Sequence, residues 1–143
     1  MLFQFALGSA MILLTVASHG LFSAAGVGIL TRHVARHVVL HGEPHSQLRS
    51  AFLLALFVVW MFLGTNLAAV AWAILYTALG AVETFEEAIY FSLVTMATLG
   101  YGDVVLEKPW RILSAIQGAN GSFLFGWSSA LTFYAVQRIF ERR

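Results

Sequence analysis

The sequence predicts an all-α membrane protein with three transmembrane helices and one short re-entrant helix that cannot cross. Three observations carry that expectation. The 143 residues are 59% hydrophobic and 10% charged, with a mean hydropathy of +0.81, values that suit a chain dissolved in lipid. Leu2–Thr31, Ala51–Val82 and Ile112–Gln137 contain no Asp, Glu, Lys or Arg. Each stretch is long enough to cross about 30 Å of hydrocarbon at about 1.5 Å per helical residue. Between the second and third lies Thr84–Ala97, which would reach only about 20 Å as a helix. The formal net charge of +1 gives no electrostatic case for nucleic acid. Cysteine is absent, which excludes disulfides and thiolate metal sites.

Residues 1–31 read as a retained transmembrane helix. No basic segment precedes the apolar run, and the run exceeds the length of a signal-peptide core, so cleavage is not expected. Gly8, Ser9, Ser18, Gly20, Ser23, Gly26 and Gly28 offer small surfaces for close helix packing. His19 lies inside this span and is expected to hydrogen-bond a neighbouring helix.

Residues 32–50 are expected to form a cytoplasmic linker. With three spans, this linker and the C-terminus share one side of the membrane. Together they carry six arginines (Arg32, Arg36, Arg49, Arg138, Arg142 and Arg143) against Glu43 and Glu141. The opposite side holds Glu83, Glu86, Glu87, Asp103 and Glu107 against Lys108 and Arg111. The excess of arginine places the linker and the C-terminus in the cytoplasm and Met1 outside. The membrane is then a cell membrane, the plasma or inner membrane. The linker also repeats His33, His37, His41 and His45. A step of four places neighbours on one helix face, with Gly42 and Pro44 ending any helix before His45. His33, His37 and His41 are therefore candidate proton sensors or a metal clamp. The reading favoured by the flanking Arg32 and Arg36 is an interfacial helix on lipid headgroups.

Thr84, with Glu87 three residues on, predicts a capped helix start, and Glu86 and Glu87 suit the positive end of its dipole. After it comes Thr98-Leu99-Gly100-Tyr101-Gly102-Asp103. Glycine visits positive φ freely, so such a run can turn successive carbonyls one way. A ring of carbonyls can replace the water shell of a dehydrated cation. Irregular backbone at membrane depth is tolerated only where protein buries it or water lines it. Pro109 can open the next helix, and Trp110 can anchor it at the interface. Gly118, Gly121 and Gly126 interrupt that helix. Asn120 is polar at membrane depth and is expected to face protein or a cavity.

Tyr90–Asp103, YFSLVTMATLGYGD, resembles the pore helix and selectivity filter of tetrameric potassium channels. With the flanking spans the resemblance covers the chain from residue 51 on. It implies a pore domain over 51–143, with an outer helix at 51–80, a pore helix at 84–97, a filter at 98–103 and an inner helix at 109–140. Residues 1–31 are an added transmembrane helix. By this resemblance Thr98, Leu99, Gly100 and Tyr101 offer carbonyls to K+, Thr98 adds its hydroxyl, and Gly102 completes the filter. Tyr101 would brace the ring from outside, and Asp103 would sit at the outer mouth. Gly121, then Gly118, is the candidate hinge of the inner helix; the competing role for both is close packing against the pore helix. Leu99 stands where valine is commoner, Ala97 where many members carry threonine, and Val94 where some place a carboxylate behind the filter.

The signature occurs once, so four chains are needed to close a fourfold ring. The expected function is passive potassium conduction by a homotetramer in the bilayer. It requires no cofactor beyond the permeant ion, no soluble ligand and no nucleic acid. The alternatives are a weakly selective cation channel, or a non-conducting scaffold or subunit that keeps the pore module. No catalytic constellation is present, so an enzyme is not expected. No span repeats arginine every third residue, so no voltage sensor is expected, and no ligand-binding domain is expected after the third helix.

Overall fold

The computed structural model describes residues 2–41 and 46–140. Met1, Gly42, Glu43, Pro44, His45 and the last three residues lie outside that range. Among the described residues the regular elements are all helices: α1 (Leu2–His41), α2 (Gln47–Ala78), α3 (Phe85–Met96) and α4 (Arg111–Phe140). No strand occurs among them. α1 runs on through residues 32–41, part of the stretch assigned to a linker. Two helices, Leu2–Leu40 and Gln47–Ala78, are long and apolar enough to cross a membrane. α4 has 30 residues and the necessary length, about 45 Å. Its hydropathy falls short because Ser114, Gln117, Asn120, Ser122, Ser128 and Ser129 punctuate it.

The chain divides into two compact units, Met1–His19 with Thr65–Phe125, and Gly20–Gly64 with Gly126–Arg143. In the first, Trp72, Tyr76, Phe91, Leu113 and Leu124 form the apolar core. A closed set of buried hydrogen bonds runs through it. The Tyr76 hydroxyl donates to Gln117 Oε1 at 2.8 Å. Gln117 Nε2 donates to Ser92 Oγ at 2.6 Å and to the Ser92 carbonyl at 3.2 Å. Ser92 Oγ donates to the Ala69 carbonyl at 2.6 Å. α2, α3 and α4 are thus joined at one level, and each of these side-chain polar atoms has a partner, as burial demands.

α1 packs on this unit through Gln4, Gly8, Met11, Thr15 and His19, all buried, while Leu2, Phe3, Phe5, Leu13 and Leu14 are exposed. The buried stripe is the more polar one. That inversion suits a helix whose outer face meets lipid, where apolar burial gives no drive. Gln4 Nε2 donates to the Pro109 carbonyl. A Cβ on Gly8 would lie 2.7 Å from Ile116 Cδ1, and Asn120 Nδ2 donates to Thr15 Oγ1 at 2.7 Å. Contacts that rise together along both helices make α1 and α4 parallel here.

The second unit buries Leu30, Val34, Phe57, Met61, Ala135 and Ile139. Trp60 stacks on Phe22 at 4.3 Å between centroids and donates its Nε1–H to the Phe22 carbonyl at 3.0 Å. Gly26 makes room for that indole, since a Cβ there would lie 2.5 Å from Trp60 Nε1.

Helix ends follow local chemistry. Gly80 has φ +60°; its N–H donates to the Thr77 carbonyl at 3.1 Å, and that of Ala81 to the Tyr76 carbonyl at 2.9 Å. This paired closure satisfies the last carbonyls of α2.

Gly121 shows a different need. Its backbone lies so close to α3 that a Cβ would overlap the Met96 carbonyl. At Gly126 a Cβ would meet nothing within 4 Å. Gly121→Ala is therefore expected to destabilise the protein by about 1–3 kcal/mol, whereas Gly126→Ala is neutral or stabilising. Thermal unfolding of both variants in detergent checks this; equal melting temperatures would remove the close approach.

Candidate functional site

The loop between α3 and α4 carries the sequence TLGYGD, and its geometry begins with how α3 starts and stops. Thr84 precedes α3 in extended conformation and accepts the Glu87 N–H on its hydroxyl at 3.2 Å. Glu86 and Glu87 occupy the first turn, so the N-terminal end of α3 is complemented and its negative dipole end lies at the loop. At that end Thr98 N–H donates to the Thr95 carbonyl and Leu99 N–H to the Val94 carbonyl, both at 3.0 Å. This is the same paired closure that ends α2, but the left-handed position is held by Thr98, with φ +58°. A β-branched residue there is strained, and Thr98 is the only non-glycine residue with positive φ among those described.

The strain is part of an alternation. Thr98, Gly100 and Gly102 have φ of +58°, +58° and +82°, while Leu99 and Tyr101 between them do not have positive φ. In an ordinary strand successive carbonyls point to opposite sides. Reversing the sign of φ at every second residue brings successive peptide planes toward a common orientation. Glycine accepts this at two of the three positions without a steric penalty, and a Cβ on Gly100 would meet nothing within 4 Å. The constraint at Gly100 is therefore conformational and not one of space.

Leu99 and Tyr101 are 56% and 67% exposed on the single chain. A cavity of about 190 Å³ lies behind the loop, bordered by Val94, Thr95, Gly100, Gly102, Asp103 and Ser114. Asp103 is held at its border. One carboxylate oxygen accepts the Tyr90 hydroxyl at 2.5 Å and the other the Val104 N–H at 3.0 Å. The Tyr90 hydrogen bond is the main cause that holds the Asp103 carboxyl below the usual carboxylate range, with the Val104 N–H adding to it. Glu83, Glu86, Glu87 and Glu107 in the same unit are exposed.

Tyr90 is the residue that sequence reasoning passed over. It opened the recognised stretch but received no role. The available signal was a phenol on the helix before the loop, paired with a lone carboxylate at the loop's end. Gln117 and Ser92 were likewise missed. Gly118 and Gly121 both lie within continuous α4. A Cβ on Gly118 would be 4.0 Å from the Thr95 carbonyl, so α4 faces the last turn of α3 through both glycines.

His33 and His37 belong to the other compact unit. His33 borders an apolar cavity of about 290 Å³ with Leu53, Phe57 and Trp60. His37 Nε2 is 3.0 Å from Arg49 Nη1. Arginine can only donate, so this ring nitrogen accepts in that contact. The His41 side chain lies outside the described residues. Among the described residues no group of three or more His, Asp or Glu gathers as a metal site.

A family model described as ion channel matches residues 55–138, more than half of the chain. The chain belongs to the two-transmembrane-type potassium channel pore family. α1 precedes the matched region, which takes in most of α2, all of α3 with its loop, and most of α4. Neither the curated proteins nor the solved structures compared with the chain gave a match. The family is one of channels rather than enzymes, and the apolar helices agree with a membrane protein.

Tyr90→Phe removes the chief donor to Asp103. The carboxyl should then titrate closer to the usual carboxylate range, measured by its NMR chemical shift against pH. The group's folded value is depressed, so its contribution to stability is present above the unfolded value and is lost as pH falls through the folded one. In the variant that loss should be smaller and should be complete at a higher pH. An unmoved titration would contradict the pairing.

Proposed function

We propose that four copies of this chain surround a pore that conducts K+ passively and selectively. The observation that carries this reading is the alternation of positive φ at Thr98, Gly100 and Gly102 in a loop returned by a helix too short to cross. Four such loops facing one axis would present rings of carbonyls from Thr98, Leu99, Gly100 and Tyr101, with the Thr98 hydroxyl at the inner end. Carbonyl rings of this kind stand in for the ion's hydration shell. The negative end of the α3 dipole supports a cation at the inner side. The exposed carboxylates near Asp103 raise the cation concentration at the entrance. Membership of the ion channel family supports conduction.

One loop per chain supports a tetramer, and so do Leu99 and Tyr101. Their exposure on the single chain would be covered by neighbouring copies. The asymmetry of arginine supports a cytoplasmic C-terminus and an outer Met1 in a cell membrane. No cofactor is required, since K+ is the permeant ion. The parallel course of α1 and α4 agrees with an N-terminus on the side of the loop.

Liposomes containing the purified chain should take up K+ down a gradient and exclude Na+. Gly100→Ala should abolish flux or selectivity, because alanine at this φ costs about 1–2 kcal/mol and turns a carbonyl from the axis. Selective flux equal to wild type in that variant would sink the filter assignment. Equal K+ and Na+ flux in the wild-type chain would instead indicate a weakly selective cation channel. A folded chain without flux would indicate a scaffold.

Native mass spectrometry in detergent should show four chains, and a dimer as the sole conducting species would contradict the ring. For orientation, cysteines at Leu2 and Lys108, both exposed, should react with an impermeant reagent from outside, whereas one at Ser46 should not. The reverse pattern would invert the topology.

A further inference from the structure

We infer that Thr15 and Asn120 form a positioning pair through which α1 holds α4 against the carbonyl end of α3. This rests on the reading of the 98–103 loop as a potassium filter. It assigns α1, which lies outside the matched family region, a part in the accuracy of that filter.

The pair is buried, with Thr15 1% and Asn120 2% exposed. Thr15 Oγ1 donates to its own helix at the Met11 carbonyl, 2.8 Å away, and accepts from Asn120 Nδ2 at 2.7 Å. The hydroxyl is therefore oriented by α1 before it meets α4. Asn120 Oδ1 is buried with no hydrogen-bond partner, so its orientation depends on the bond made by its amide nitrogen. In a setting without water that bond has no ready substitute.

The next residue, Gly121, makes the close approach to the Met96 carbonyl. Met96 ends α3, and Thr98, two residues on, begins the strained alternation. A chain of contacts thus runs Thr15, Asn120, Gly121, Met96, Thr98. Two further grips, Gln4 on the Pro109 carbonyl and Gly8 against Ile116, align α1 with α4 above this level. They leave Thr15–Asn120 as the α1–α4 hydrogen bond beside the filter's support. Losing it lets α4 settle away from Met96, and the Thr98 carbonyl, two residues past Met96, shifts with it.

The test is the K+ over Na+ permeability ratio of the full chain in liposomes, from reversal potentials. Thr15→Val keeps the shape and removes the acceptor; Thr15→Ser keeps the hydroxyl. The ratio is expected to fall at least about threefold in Thr15→Val, the scale of one lost hydrogen bond, and to return to wild type in Thr15→Ser. Asn120→Ala should lower the ratio similarly, and the double variant should fall no further than either single one. An unchanged ratio in Thr15→Val, equal loss in Thr15→Ser, or additive losses in the double variant would overturn the pairing. A lower melting temperature with an unchanged ratio would make the pair merely structural and overturn it too. If Thr15→Val does not fold, Asn120→Ala against the Thr15→Ser control decides on the same readout. A wild-type chain without potassium selectivity would instead overturn the filter reading itself.

Discussion

The buried hydrogen bonds around Gln117 are the constraint on which the rest of the first unit depends. α3 has only 12 residues and cannot be held in place by spanning the membrane. It is held by what surrounds it. Ser92 sits in the middle of α3 and is bonded to Ala69 on α2 and to Gln117 on α4, which Tyr76 of α2 secures in turn. A polar group in an apolar medium costs several kcal/mol when unpaired. Each alternative placement of α3 that breaks this set therefore leaves at least one amide or hydroxyl orphaned. Tyr76 also meets Phe91 edge-on at 5.4 Å between centroids, so the same level of the fold is fixed by shape as well as by polarity.

From that anchored helix the geometry of the loop follows. The left-handed residue that closes α3 after its cap Ala97 is also the first residue of the loop, Thr98. A glycine there would end the helix without strain. Threonine ends it at a cost of order 1–3 kcal/mol and in return places a hydroxyl at the start of the loop. The strain persists because α3 is immobilised on both sides and because two backbone hydrogen bonds over-determine the turn. At the far end, Tyr90 reaches from α3 to Asp103, so the loop is tied to the same helix at both ends.

α1 extends this arrangement outward. Its buried stripe of Gln4, Gly8, Thr15 and His19 would be a poor core in water, where apolar burial drives packing. Against lipid, which is as apolar as leucine, close approach and hydrogen bonding decide instead. The N-terminal part of the helix accordingly shows Leu2, Phe3, Phe5, Leu13 and Leu14 outward and buries Gln4, Gly8 and Thr15. The second unit repeats this in another form, with Gly26 making way for Trp60, whose indole N–H reaches a carbonyl of α1.

The sequence by itself determined what depends on near neighbours in the chain. Charge-free length gave α1 and α2, Thr84 with its following glutamates gave the start of α3, and glycine gave positive φ at 100 and 102. Each is a local property, set within a turn or two of helix. The tertiary structure alone decided the left-handed Thr98, which residue type disfavours and only a fixed α3 sustains. It alone decided that Gly121 faces a backbone carbonyl, because a glycine in a helix looks the same whether it packs or bends. It also decided the partners of Gln117, Tyr90 and Asn120. Asn120 and Thr15 stand 105 residues apart, and no periodicity or turn chemistry connects positions at that separation. Their meeting is fixed by which helix faces pack together, and that is settled by shape and by pairing buried polar groups across helices.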